Sequence, residues 1–195
     1  MSHALPLQNP TPPFAARPAI GRLGLVRFPV ARSPRPRAPA RLLDPVTGLL
    51  NRAGLEEAVA ATLSAGASSQ GHAALLCVDL GGPDVLARIA AAGGRNACDA
   101  VLRAAGAALR SLVRGADAVG RLAGDDFLIL LEGLGDLDNA GRVAETAMAA
   151  LRGLDVAGAG GGAHLAPRIG VVRLPSSARA VASMFAAREE VAAAP

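Results

Sequence analysis

The 195 residues suffice for one domain with a packed core plus extra segments. Apolar residues make up 51% but aromatics only 2%, with no Trp or Tyr, which argues against binding by stacking on exposed nucleobases. All 20 basic residues are Arg; seven of them and no acid fall within residues 1–43, so the net +4 belongs to the leading segment, while residues 44–195 set 13 Arg against 16 acids.

Residues 1–41 read as a disordered arm. Nine of the 14 prolines lie in residues 1–40, and "RFPVARSPRPRAPAR" combines them with Arg. Proline fixes φ and removes a backbone donor, so such a segment stays extended. It is expected to serve either as a solvated linker or as a weak electrostatic contact with nucleic acid, anionic lipid or a protein partner. The start, "MSHALPLQNPTPP", lacks the charged and apolar regions of a secretory signal, and no apolar run approaches a membrane span. A cytoplasmic location is expected, without specific nucleic-acid binding. Cys77 and Cys98 are the only cysteines, too few for a disulfide framework and without zinc spacing.

From residue 42 the pattern is that of a globular domain. "NRAGLEEAVAATLSA" spaces Leu55, Val59 and Leu63 on one helical face. "HAALLCVDL" is a buried strand ending at Asp79. "ACDAVLRAAGAALRSLV" is a second helix. "AVGRL" and "FLILLEGL" form a hairpin around an acidic turn. "NAGRVAETAMAALRGL" is a third helix, "GAGGGAHLAP" a flexible loop, "RIGVVRL" a strand and "SARAVASMFAAREEVAAA" a last helix. The order α-β-α-β-β-α-β-α predicts an α/β (α+β) domain over residues 42–195: a mixed central sheet flanked by helices, with a β-hairpin carrying the acidic turn.

The turn "GRLAGDDFLILL" has two readings from its residues alone, a polar hairpin tip or one side of a cation site. If the hairpin lies beside the first strand, Asp79, Asp125 and Asp126 meet at one sheet edge. Clustered carboxylates offer the hard oxygen ligands that suit Mg²⁺.

Two motifs resemble those of GGDEF domains, the diguanylate cyclase family. "DPVTGLLNR", residues 44–52, is similar to D-x-L-T-G-L-x-N-R, departing only at Val46, and "RLAGDDF", residues 121–127, to R-x-G-G-D/E-E-F. The resemblance spans roughly residues 42–191 and implies the nucleotidyl-cyclase-like fold. It implies Asp79 and Asp125 as Mg²⁺ ligands, Asp126 beside the reacting centre, and Gly124 in the turn that approaches the nucleotide. It implies Asp99, in "GRNACD", as a guanine contact and Arg188, in "MFAAREEVA", as a phosphate contact. It also implies an inhibitory, product-binding site of the form R-x-x-D at Arg114 and Asp117, with the five residues 118–122 between it and the AGDDF part of the signature.

Several positions depart from the family. Asp126 stands where Glu is usual, Ala123 replaces the first signature glycine, Ala90 falls where a guanine-binding Asn belongs, and Ala192 replaces an Arg. Retracting a carboxylate by one methylene weakens positioned chemistry, and an alanine cannot pair with a base edge. The resemblance therefore implies a member of cyclic di-GMP signalling, catalytically weak or inactive, that binds cyclic di-GMP at Arg114 and Asp117. The alternatives are an active cyclase, condensing two GTP into cyclic di-GMP and two pyrophosphates with Mg²⁺ across a homodimer, and a scaffold that binds no nucleotide.

Overall fold

A computed structural model describes residues 34–65, 72–156 and 164–174. Its framework is a sheet of β1 (His72–Asp79), β2 (Ala118–Ala123), β3 (Asp126–Leu134) and β4 (Arg168–Leu174), in the order β2-β3-β1-β4. Each of these pairings is antiparallel. A parallel element enters as the isolated bridge between Leu50 and Gly120.

Period-2 alternation explains why β1 and β3 read as unbroken apolar runs: both faces are covered. Ala74, Leu76 and Val78 of β1, with Phe127, Ile129 and Leu131 of β3, face one core. That core is completed by α2 (Pro83–Ser111) and α3 (Asp138–Arg152), through residues such as Ile89, Leu102, Val143 and Leu151. Leu75, Leu128 and Leu130 face the other side and meet Leu55, Ala58 and Val59 of α1 (Arg52–Ala65). Among the described residues the result is a three-layer arrangement, with one helix on one face and two on the other.

The predicted hairpin, the strand before it and the strand after it are all present. The helix predicted from residue 97 begins earlier. Its first part starts with Pro at N1 and Asp84 in the first turn, both favourable at a helix N-terminus, and buries Val85 and Ile89 at i,i+4 spacing. A kink at Gly94, with φ 70°, separates it from the expected part. The last predicted helix lies outside the described residues. Residues 34–41, assigned by composition to the arm, pack on the domain: the Arg35 N–H donates to the Gly115 carbonyl at 2.9 Å, and Ala40–Leu42 forms a 3-10 turn whose Leu42 is buried. Among the described residues no helix is long and apolar enough to cross a membrane.

Candidate functional site

The motif at residues 44–52 builds a wide turn that ends in a helix cap. The Asp44 carboxylate accepts from the Thr47 N–H at 2.8 Å and the Thr47 hydroxyl at 2.7 Å. Gly48 takes φ +70°, a conformation that suits glycine. Asn51 then caps α1: its Oδ1 accepts the Gly54 N–H at 3.0 Å, while its Nδ2 donates to the carbonyls of Arg41 and Leu43. These contacts direct residues 49–51 along β2, where Leu50 exchanges hydrogen bonds with Val119 and Arg121.

Arg121 joins this turn to the hairpin tip. Its Nε and Nη2 donate to the Gly124 carbonyl at 2.9 and 2.7 Å, and its Nη1 lies 3.4 Å from Asp44 Oδ2. Burial pushes the Asp44 carboxyl up, but the Thr47 hydrogen bonds and the Arg121 charge outweigh this and hold it below the usual carboxylate value.

The tip itself is Gly124-Asp125, with Gly124 at φ +50° and open space where a side chain would project. Across β3, β1 and β4 the registers pair Asp126 with Asp79 and Asp79 with Arg168. Directly opposed residues project from the same face of an antiparallel sheet. The rim therefore carries a row of acid, acid and base. Opposed like charges are unfavourable, and here Arg168 supplies compensation, with its Nη2 2.9 Å from Asp79 Oδ2.

The loop after β1 gathers two of the carboxylates. Asp79 Oδ1 accepts the Gly81 N–H at 2.7 Å, and Asp125 Oδ2 accepts the Gly82 N–H at 2.7 Å. Gly81 and Gly82 hold positive φ, of 138° and 82°, which turns successive amides toward the two acids. Asp79 and Asp125 thus share one short loop, while Asp126 stands beside Asp79 in the cross-strand row. No group of three His, Cys, Asp or Glu side chains among the described residues is disposed to hold a metal ion. The chemistry of the Asp79–Asp125 pair, hard anionic oxygens held by the amides of one loop, nevertheless fits Mg²⁺.

The remaining predicted residues are dispersed. Asp99 is half-buried in α2 beyond the Gly94 kink. Burial pushes the neighbouring Cys98 thiol up, and the Asp99 charge adds to this. Arg188 lies outside the described residues.

Arg114 and Asp117 are brought together as expected, but facing inward. Asp117 Oδ2 accepts the Arg114 N–H at 2.9 Å and lies 3.5 Å from Arg114 Nε, while Oδ1 accepts the Glu132 N–H at 3.1 Å. Arg114 Nη2 donates to the Glu132 carbonyl at 2.7 Å. The Asp117 side chain is 0% exposed and that of Arg114 27%. Arg110 closes the loop, donating to the carbonyls of Arg114 and Asp117.

Sequence reasoning missed Arg121, Asp44 and Thr47 as one unit, Arg168 as the partner of Asp79, and the Gly81-Gly82 amides. The adjacent glycines just after a strand ending in Asp were the signal for the last of these.

A sheet in this order, with helices on both faces and a signature hairpin at its rim, defines a GGDEF-type domain. The family model for the diguanylate cyclase GGDEF domain matches residues 41–193, and the chain belongs to that family. Among solved structures, a sensory box/GGDEF family protein from Caulobacter crescentus is 27% identical over 77% of this chain and 95% of its own, with a TM-score of 0.62. The diguanylate cyclase SiaD of Pseudomonas aeruginosa, solved with its activator SiaC, is 26% identical over 78% and 58%, with a TM-score of 0.61. A microbial GGDEF domain solved with cyclic di-GMP is 26% identical over 76% and 94%, with a TM-score of 0.58. No curated protein sequence matches the chain.

Proposed function

We propose that this domain is a cyclic di-GMP-binding member of the GGDEF family whose own cyclase chemistry is weak or lost. The observation that carries the reading is the Arg114–Asp117 loop, which holds an arginine, 27% exposed, and is separated by residues 118–122 from the AGDDF turn of a GGDEF domain. Arg114 presents a planar fork suited to phosphate or a guanine edge. Asp117, fastened to backbone amides, sets the loop that carries it. Binding draws the Arg114 fork from the Glu132 carbonyl to the ligand. A similar GGDEF domain solved with cyclic di-GMP supports the ligand class.

Catalysis is weakened at two places. Asp126 holds its carboxylate one methylene short of the family's Glu, and Ala90, exposed on α2, offers no group to a guanine. Gly124 still leaves open space at the turn for a nucleotide, and Asp99 and Arg188 remain as its base and phosphate contacts. The domain acts in the cytoplasm, with its arm available to a protein partner.

The second reading, an active cyclase working as a homodimer, is favoured by one observation: Asp79 and Asp125 share the Gly81-Gly82 loop. They would hold Mg²⁺ there, and the ion would neutralise phosphate charge when bound. Asp126, opposite Asp79, would then lie beside the reacting hydroxyl.

Calorimetry with cyclic di-GMP tests the proposal, using wild type, Arg114→Ala and Asp126→Ala. Binding by wild type and Asp126→Ala, with loss in Arg114→Ala, is expected. Equal binding by Arg114→Ala refutes the site. Robust synthesis of cyclic di-GMP from GTP and Mg²⁺ by wild type favours the second reading, and a protein that neither binds nor synthesises is a scaffold.

A further inference from the structure

Glu132 is an acid set in the apolar run that follows Asp126 in β3, and its side chain is only 9% exposed. A buried carboxylate requires a charged or hydrogen-bonding partner. Thr62 of α1 brings its hydroxyl to 2.7 Å from Oε1, and Arg35, from the arm, brings Nη2 to 2.7 Å from Oε2. The same guanidinium donates from Nε to the Ala116 carbonyl at 2.8 Å, and the Arg35 N–H donates to the Gly115 carbonyl at 2.9 Å. Pro34 covers Gly115 so closely that a side-chain carbon there would lie 3.1 Å from the proline ring.

Residues 115 and 116 are the middle of the Arg114–Asp117 loop. The main chain of Glu132 holds the two ends of that loop, through Asp117 Oδ1 and Arg114 Nη2. One residue of β3 therefore anchors the arm by its side chain and the ligand loop by its backbone.

We propose that the Arg35–Glu132 pair is a latch that couples docking of residues 34–36 to the setting of the Arg114–Asp117 loop. Releasing the arm loosens the loop. By reciprocity, a ligand that draws Arg114 away from Glu132 weakens the arm's hold. This second half rests on the cyclic di-GMP reading above; the first half does not.

Hydrogen exchange on the full chain, without ligand, tests the first half. Arg35→Ala and the shape-conserving Glu132→Gln should each speed exchange at the Arg114 and Asp117 amides about tenfold or more, while α3 keeps its protection. Arg37→Ala, an exposed arginine of the same segment, should leave those amides unchanged. Unchanged loop exchange in both Arg35→Ala and Glu132→Gln overturns the latch. Cyclic di-GMP should then speed exchange of the Arg35 amide in wild type. Binding by calorimetry with no change at Arg35 overturns the reciprocal half. Absence of binding overturns the proposed function and, with it, that half, and leaves the ligand-free coupling supported by its own measurement.

Discussion

Asp44 and Arg121, 77 residues apart, meet through Oδ2 and Nη1 at 3.4 Å, with side chains only 14% and 15% exposed. One belongs to the motif that opens the domain, the other to the hairpin signature. The same guanidinium holds the Gly124 carbonyl, so the two motifs of this sequence are parts of one mechanical unit that ties the hairpin tip to the entry turn.

Asp44→Ala should destabilise the domain by about 1–3 kcal/mol, since it orphans the Thr47 amide and hydroxyl and leaves Arg121 uncompensated. Arg121→Ala should cost a similar amount. In a double-mutant cycle by urea unfolding, the two losses should fall short of additivity. Strict additivity would show that the contact has no energetic content.

The low Asp44 pKa gives a pH dependence of definite sign. A carboxyl depressed in the folded state contributes stability above its unfolded pKa, near the ordinary value of 3.8, and loses it as pH falls below that value toward the folded pKa. Wild type should therefore lose stability relative to Asp44→Asn as pH falls below about 4. Parallel stability–pH curves for the two proteins would contradict the assignment.

Gly120→Ala should destabilise by about 1–3 kcal/mol or prevent folding, as overpacking does. A Cβ at Gly120 would lie 2.5 Å from the Leu50 carbonyl oxygen and 2.6 Å from Leu55 Cγ. Backbone and core both resist that displacement. Gly141→Ala is the control: nothing lies within 4 Å of its Cβ position, and its helix should gain slightly. Similar melting temperatures for the two variants would argue against the close packing.

Arg168→Ala should raise the affinity for Mn²⁺, a spectroscopic substitute for Mg²⁺, by up to about fivefold. The pair it removes is solvent-exposed, with Arg168 73% exposed, and such pairs contribute about 0.2–1 kcal/mol. Paramagnetic relaxation of water, titrated with Mn²⁺, reads this without any turnover. Unaltered affinity would mean that Arg168 does not compete at Asp79.

Much of this architecture was legible from pattern alone. The runs ending at Asp79 and flanking residues 123–126 had strand length, and the helical faces repeated with the right period. What pattern could not supply was pairing at a distance. The arm looked uniform because Pro and Arg dominate its composition, yet Arg35 is singled out by a partner 97 positions away. The hint lay in that partner: Glu132, an acid amid "FLILLEGL", had to be neutralised by something. The first part of α2 is bracketed by Gly-Gly pairs, and pattern does not reveal that one pair turns amides toward carboxylates while the other only bends a helix. Arg114 and Asp117 do touch, but spacing says nothing of whether a fork points outward or in.

The bridge of Leu50 to β2 has a last consequence. An outermost strand normally leaves a ladder of unsatisfied amides and carbonyls, an invitation to pair with a strange chain. Here the Leu50 N–H donates to the Val119 carbonyl and the Arg121 N–H to the Leu50 carbonyl, at 3.2 and 2.8 Å. Two of those backbone groups are already spoken for, and the absent side chain at Gly120 lets the cover lie flat. On this flank the protein carries its own guard against amyloid-like stacking.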